Sequence, residues 1–300
     1  FFWFIEAFVF LLFKDKLKLI QKVKILKYFY HINMKARKIA EVSSESNFII
    51  SGKQRFSGGH AESVGTRPSM EDCSAIIGDF LGIPNSQYYA LFDGHGGGEV
   101  SNYCARNLHL GISSLYQRNN NIEQSIQEAI DDVDKYTSVK WPAVGCTAVI
   151  VVIIEDDIYI ANVGDSRAIL VENGIARRCT VDHRSADPEE KKGVIERGGI
   201  VQNDRVNGTL MLSRSIGDGN LGKAVSTEAH FLQASREDGM KLIMACDGVW
   251  DVMTDQMAVD ILMKCNNIPE AAKAIKDESL KLETKDNVSC IVVDLTPKKE

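Results

Sequence analysis

The chain has 300 residues, 44% of them hydrophobic, so it can bury one large core or two modest ones. Its net charge of −6 leaves no basic footprint, which sets nucleic acid aside as an expected partner. The seven cysteines (73, 104, 146, 179, 246, 265 and 290) form no C-x-x-C pair, and several sit in apolar runs such as "MACDG" and "VSCIVV". That pattern argues against a disulfide framework or a zinc ribbon and for a reduced, cytoplasmic compartment.

Residues 1–33 differ from the rest. "FFWFIEAFVFLLF" is apolar apart from Glu6, and the stretch after it, "KDKLKLIQKVKILKYFYHINMKARK", is basic and helix-prone. The apolar run falls short of the roughly 20 residues needed to cross a bilayer. A membrane tether or amphipathic surface helix is one reading. An extension foreign to the main unit, or a helix made to pack on a neighbour, is the preferred one. The chain does not open on methionine, so either residues precede Phe1 or the chain proper starts at Met34. Residues 1–58 are expected to form an N-terminal segment and linker, and residues 59–296 one globular domain.

Within that domain, "YYALFDGHGGGEV" opens as a buried strand, Tyr88 to Phe92, then leaves through an acid, a glycine and a histidine. A helix is expected from Glu99 to about Leu108, with Val100, Cys104 and Leu108 on one face, and a second from Ile122 to Lys140. "GCTAVIVVIIEDDIYIANVGDSRAILVENGIARR" reads as successive strands with turns at 155–157, 164–166 and 173–174, an antiparallel meander. Asp187 and Pro188 mark a helix start, Thr254 caps another, and Pro269 begins a third. "KLIMACDG" and "VSCIVVDL" are further strands. Long strands with several helices around them imply an α+β sandwich covered by helices.

Four segments share one design, an apolar strand beside an Asp at a turn: Asp93 in "ALFDG", Asp165 in "ANVGDSR", Asp247 in "IMACDG" and Asp286 in "TKDNVS". Glu71 and Asp72 in "RPSMEDC" and Asp251 in "CDGVWD" add to them. Any one Asp-Gly is ordinarily a turn. Clustered, unpaired buried carboxylates would instead take up protons, so strand-end acids brought together call for a cation. Oxygen-only ligation suits Mg²⁺ or Mn²⁺. Calcium-loop spacing is absent.

The motifs "R-x-x-x-E-D", "FDGHGG", "G-C-T-A", "VGDSR", "R-V-N-G-x-L-x-x-S-R-x-x-G-D", "ACDGVWD" and "DNVS" follow in order from Arg67 to Ser289. Together they resemble the metal-dependent protein phosphatase family, the type-2C serine/threonine phosphatases, over about residues 59–296. The resemblance implies a β-sandwich of two antiparallel sheets flanked by helices, in four α-β-β-α layers, with a dinuclear metal centre at one end. It implies two Mn²⁺ or Mg²⁺ ions and a weaker third in some members. Asp93 would bridge the pair, the Gly94 carbonyl would ligate one ion, and Asp247 and Asp286 would ligate the other. Glu71 would hold metal-bound water, supported by Asp72, and Asp165 and Asp251 match third-metal positions. Arg67 matches the arginine that grips substrate phosphate, and His95 the general acid. Arg205, Asn207, Ser213, Arg214 and Asp218 match scaffold and active-site wall.

The resemblance therefore implies hydrolysis of phosphoserine and phosphothreonine in phosphoprotein substrates, by a hydroxide bridging two divalent ions. It implies a monomeric catalytic domain. No Cys-x5-Arg loop is present for cysteine-based chemistry. The alternative is a catalytically inactive, phosphatase-like adaptor. Two departures from the family pattern question loop shape: Ser185 follows "DHR" where proline is frequent, and "VSTEAH" lacks the usual prolines. Cys146 stands where serine is frequent.

Overall fold

Six strands in the order Phe48–Ser51, Cys73–Gly78, Gln87–Phe92, Ala148–Ile154, Asp157–Val163 and His230–Ser235 form one sheet of the computed structural model, which describes residues 47–298. A second sheet runs Ile175–Arg178, Arg167–Glu172, Lys241–Ala245, Val288–Pro297 and Phe56–Ser63. Pairing in both sheets is antiparallel except at one edge, where Phe48–Ser51 runs parallel to Cys73–Gly78. Side chains alternate across a strand. Tyr89 and Leu91 accordingly pack with Leu170, Met244 and Ile291 between the sheets. Tyr88, Ala90 and Phe92 face the other way, onto Leu108 and Ile112 of helix Glu99–Asn119 and Ile130 of helix Ile122–Lys140. The outer face of the second sheet, with Ile169, Ile243 and Val292, is covered by Val259 and Ile275 from helices Asp255–Leu262 and Ile268–Lys281.

These are the four expected layers. Because both faces of each sheet are covered, Ala148 to Ile153 are apolar without alternation and fully buried. Each Val or Ile buried this way contributes roughly 1.5–3 kcal/mol relative to exposure.

Segment 145–178 departs from the expected meander. Ala148–Ile154 and Asp157–Val163 make a hairpin in the first sheet, and Arg167–Glu172 and Ile175–Arg178 make another in the second. Residues 164–166 therefore carry the chain from one sheet to the other. The free edge of Asp157–Val163 is taken by His230–Ser235, and that of Arg167–Glu172 by Lys241–Ala245, so the two hairpins never pair with each other.

The first helix also runs well past Leu108, to Asn119, and closes on Asn120 in the left-handed region. Gly111 sits inside it against Ala129 of the second long helix, where a Cβ on Gly111 would lie 3.4 Å from the Ala129 Cβ. Asp187 and Thr254 cap as expected. Asn267 caps the last helix, with Pro269 in its first turn.

Residues 48–58, which the sequence reading leaves in the N-terminal segment, supply one edge strand and the start of another. Residues 1–46 lie outside the described residues, and so does the reading of residues 1–33 as a tether or extension. Among the described residues no helix is long and apolar enough to cross a membrane.

Candidate active site

The sandwich brings strand ends from both sheets to one rim. Asp93 follows Gln87–Phe92 and is fixed at both backbone atoms by Thr147: its N–H donates to Thr147 Oγ1 at 3.2 Å, and its carbonyl accepts from the Thr147 N–H at 2.8 Å. Asp165 follows Asp157–Val163, Asp247 follows Lys241–Ala245 and opens the short helix Asp247–Trp250, and Asp286 precedes Val288–Pro297. Asp72, in the loop before Cys73–Gly78, is fully buried. One oxygen each of Asp72 and Asp93 and the Cys246 Sγ lie within 4.8 Å of one another.

Such crowding has an electrostatic signature. Burial pushes the Asp93 carboxyl well above the usual range, and the charges of Asp72, Asp247, Asp165 and Asp286 push it further. Asp247 rises for the same first reason, with Asp165, Asp286 and Asp251 adding to it and Arg184 opposing. Burial lifts Asp72 to about 6. Both carboxylate oxygens of Asp72 and Oδ1 of Asp247 are buried without a hydrogen-bond partner among the described residues. An unpartnered buried carboxylate is costly unless a cation satisfies it. Cys246 does not compete for that role. Burial keeps its thiol protonated, and its Sγ donates to the Asn287 carbonyl and accepts from the Ser289 N–H. The donors left are hard oxygens, which fit Mg²⁺ or Mn²⁺.

The loop carrying Arg67 and Glu71 is held against this cluster by Asn287, the second residue of the "DNVS" motif, to which its residue type alone assigns no role. Its Nδ2 donates to the carbonyls of Val64 and Ser69, both at 2.9 Å, and its Oδ1 accepts from the Glu71 N–H at 2.8 Å. Glu71 in turn accepts the Gly97 N–H on Oε2 at 3.2 Å and a hydrogen bond from Ser69 on Oε1. Arg67 is exposed at the mouth, with Nη2 on Asp286 Oδ2 at 2.5 Å and Nε on the Lys285 carbonyl. Gly94 has a steric reason to be glycine besides any backbone oxygen offered to an ion. A Cβ there would lie 2.4 Å from the Glu71 carbonyl. His95 is half-buried beside the cluster, its Nε2 2.7 Å from Asp218 Oδ2.

Asp165 and Asp251, the two acids matched to a third metal, are joined by a second residue the sequence reading did not assign. Arg184 reaches Asp165 Oδ2 through Nε at 2.8 Å and Asp251 Oδ1 through Nη2 at 2.6 Å. The adjacent Ser185, the departure from proline, is buried, with its hydroxyl in reach of the Asp204 and Met211 carbonyls at 2.5 and 2.9 Å. A proline could make neither contact. Ser213 and Arg214 both bind Glu190, away from the acids. Arg205 reaches the Thr209 carbonyl, and the Asn207 side chain accepts the Ile200 N–H.

A helix-covered sandwich whose rim gathers several carboxylates, those of Asp72 and Asp247 with buried oxygens that no hydrogen bond satisfies among the described residues, is suited to hold a divalent cation. A family profile described as protein phosphatase 2C matches residues 57–288. Protein phosphatase 2C homolog 1 of Schizosaccharomyces pombe is 33% identical over 244 residues, 77% of this chain and 70% of that protein. Probable protein phosphatase 2C 45 of Oryza sativa subsp. japonica is 34% identical over 260 residues, 81% and 89% of the two chains. The crystal structure of serine-threonine phosphatase 2C from Toxoplasma gondii shares the fold, with a TM-score of 0.70 at 21% identity, covering 81% of this chain and 96% of that one. The chain belongs to the protein phosphatase 2C family, whose members are metal-dependent protein serine/threonine phosphatases.

Proposed function

We propose that the chain hydrolyses phosphoserine and phosphothreonine in proteins with two Mn²⁺ or Mg²⁺ ions held by Asp93, the Gly94 carbonyl, Asp247 and Asp286. The observation that carries this reading is the set of buried Asp72 and Asp247 oxygens with no hydrogen-bond partner among the described residues, beside Asp93 at the same rim. When bound, the metal pair supplies a nucleophile from water at neutral pH and neutralises phosphoryl oxygens. Asp72 and Glu71 steady the ligands and the surrounding water. Arg67 presents its guanidinium to the incoming phosphate, a task suited to its fork of donors. His95 hands a proton to the departing seryl oxygen. Nothing in the site favours the inactive-adaptor alternative, because each matched acid is present.

The test is hydrolysis of phosphoserine and phosphothreonine peptides with Mn²⁺, Mg²⁺, Ca²⁺ or EDTA. Activity is expected with Mn²⁺ or Mg²⁺ and none with EDTA. Full turnover after exhaustive chelation, or dependence on zinc alone, would overturn the reading.

A further inference from the structure

Asp218 ends the signature "SRSIGD" and closes a three-stranded ribbon. In it Gly94–His95 pairs with Gly145–Cys146, which pairs with Ile216–Gly217. The register sets His95 opposite Gly145 and Gly145 opposite Gly217, so the residue after Gly217 comes alongside His95. Asp218 Oδ2 meets His95 Nε2 at 2.7 Å and accepts the Ser215 hydroxyl at 2.5 Å. The Asp218 side chain is 7% exposed and that of His95 27%, so the pair is shielded on the Asp side and open on the His side.

Three features show that this contact is built into the fold. Asp218 holds a left-handed backbone, φ 54°, which is unfavourable for a residue with a Cβ. That backbone is pinned by its N–H on the Val144 carbonyl at 3.0 Å and its carbonyl on the Leu221 N–H at 2.8 Å. It stands at the N-cap of a 3-10 turn, Gly219–Ala224, yet its carboxylate makes no capping bond there. Finally, a Cβ on Gly145 would lie 2.2 Å from Asp218 Oδ2 and 2.6 Å from His95 Nε2, so only glycine leaves room for the pair to meet.

We propose that Asp218 is the positioning residue for His95. This rests on the reading of His95 as the general acid. A carboxylate accepts only, so Nε2 must carry a hydrogen. Nδ1, which has no hydrogen-bond partner among the described residues, is then the nitrogen that exchanges a proton with substrate. As the phosphorus–oxygen bond to serine breaks, its electron pair goes to the seryl oxygen, which takes the Nδ1 proton. The attacking water's oxygen forms the new bond to phosphorus, and a proton from that water goes to solvent. The ring is left neutral with Nε2–H still on Asp218, and solvent resupplies Nδ1. The Ser215 hydroxyl donates to the same Asp218 oxygen that meets the ring and so helps to fix it in place.

The experiment compares Asp218→Asn, His95→Gln and the double variant in the full chain with Mn²⁺, on a phosphoserine peptide and on p-nitrophenyl phosphate. Nitrophenolate leaves without a proton, so only the peptide needs the acid. Asp218→Asn is expected to lose about 10–100-fold in kcat on the peptide, as for outer-shell partners elsewhere. It should change by no more than about twofold on p-nitrophenyl phosphate, with its Mn²⁺ requirement unmoved. The double variant should be no slower than His95→Gln, since both act through one ring. Equal losses on the two substrates, or additive losses in the double variant, overturn the proposal and leave Asp218 a folding residue. If His95→Gln itself fails to distinguish the substrates, the acid reading of His95 falls and the proposal with it. If His95→Gln distinguishes them and Asp218→Asn does not, the proposal alone falls. Should Asp218→Asn not fold, nitrogen-15 NMR of the wild-type histidines decides, with His95 identified by the His95→Gln spectrum. The neutral ring is expected as the Nε2–H tautomer, and an Nδ1–H tautomer overturns the assignment.

Discussion

Asn287 holds Glu71 by its backbone: its side-chain oxygen accepts the Glu71 N–H at 2.8 Å while its own N–H donates to Asp286 Oδ1 at 2.7 Å. One buried amide thus links an assigned metal ligand to the loop that carries Arg67 and Glu71. Replacing it with alanine leaves the Ser69 carbonyl and the Glu71 N–H without their partners and the Val64 carbonyl with only the Arg67 N–H. A loss of about 2–4 kcal/mol in stability is expected from several such groups. The loss of kcat/KM should be larger than the loss of fold. Asn287→Asp keeps the acceptor for Glu71 but gives up both donors, so it should fall between wild type and alanine. Denaturant midpoints and phosphopeptide kinetics check this, and an unchanged midpoint for Asn287→Ala would contradict the clamp.

Asp93 and Glu71 should separate by magnitude. Asp93→Asn removes charge from the carboxylate that senses Asp72, Asp247, Asp165 and Asp286, and a loss of about 10²-fold or more in kcat is expected. Glu71→Gln keeps an oxygen for the Gly97 N–H, so it should lose less. Near-normal turnover of Asp93→Asn at saturating Mn²⁺ would remove it from the ligand set.

Asp72 gives the pH dependence a definite sign. Its carboxyl is raised to about 6 in the folded chain by burial. The folded state therefore binds this proton more tightly than the unfolded one, in which the group titrates near 4. Its contribution favours folding at low pH and is withdrawn as pH climbs from about 4 through 6. In EDTA, Asp72→Asn should therefore gain on wild type across that window, by roughly 1–3 kcal/mol at pH 7. Adding Mn²⁺ should shrink the gap, since a cation replaces the proton. Melting curves of both proteins at stepped pH test it, and a wild type that gains on the variant as pH rises would refute the sign.

Truncation reads the edge of the first sheet. A chain starting at Asn47 is expected to keep full activity, because the assigned residues and the strands described here all lie beyond it. Removing residues to Ser51 deletes the parallel edge strand, the stacking of Phe48 on His60 at 4.1 Å, and the bond from the Ser74 N–H to the Asn47 carbonyl. That shorter form should melt at least several degrees lower. Equal melting temperatures for the two would show the edge strand to be dispensable.

Much of this was legible in the residues themselves. The strands that end in Asp93, Asp165 and Asp247 announce themselves because an apolar run followed by an acid at a turn is a local pattern. Helix caps such as Asp187 and Thr254 are equally local. The continuous run Ala148 to Ile153 could not say which residues face which layer, since both faces are covered and no polar residue marks the pattern. For the same reason the passage through residues 164–166 read as a hairpin turn, although it crosses between sheets.

The sequence by itself determined the ordered motifs, the oxygen-rich ligand chemistry and the layered α+β class, because each depends on residue type and short-range spacing. Only the tertiary structure decided the partnerships that cross the chain. Asn287 clamps a loop more than 200 positions away, Arg184 joins Asp165 to Asp251, and Asp218 meets His95 across Gly145. Each pairs a common polar residue with a distant one, and a polar side chain gives no local sign of its partner. Its partner is set by where packed strands end, and that follows from burying the apolar faces of two sheets at once.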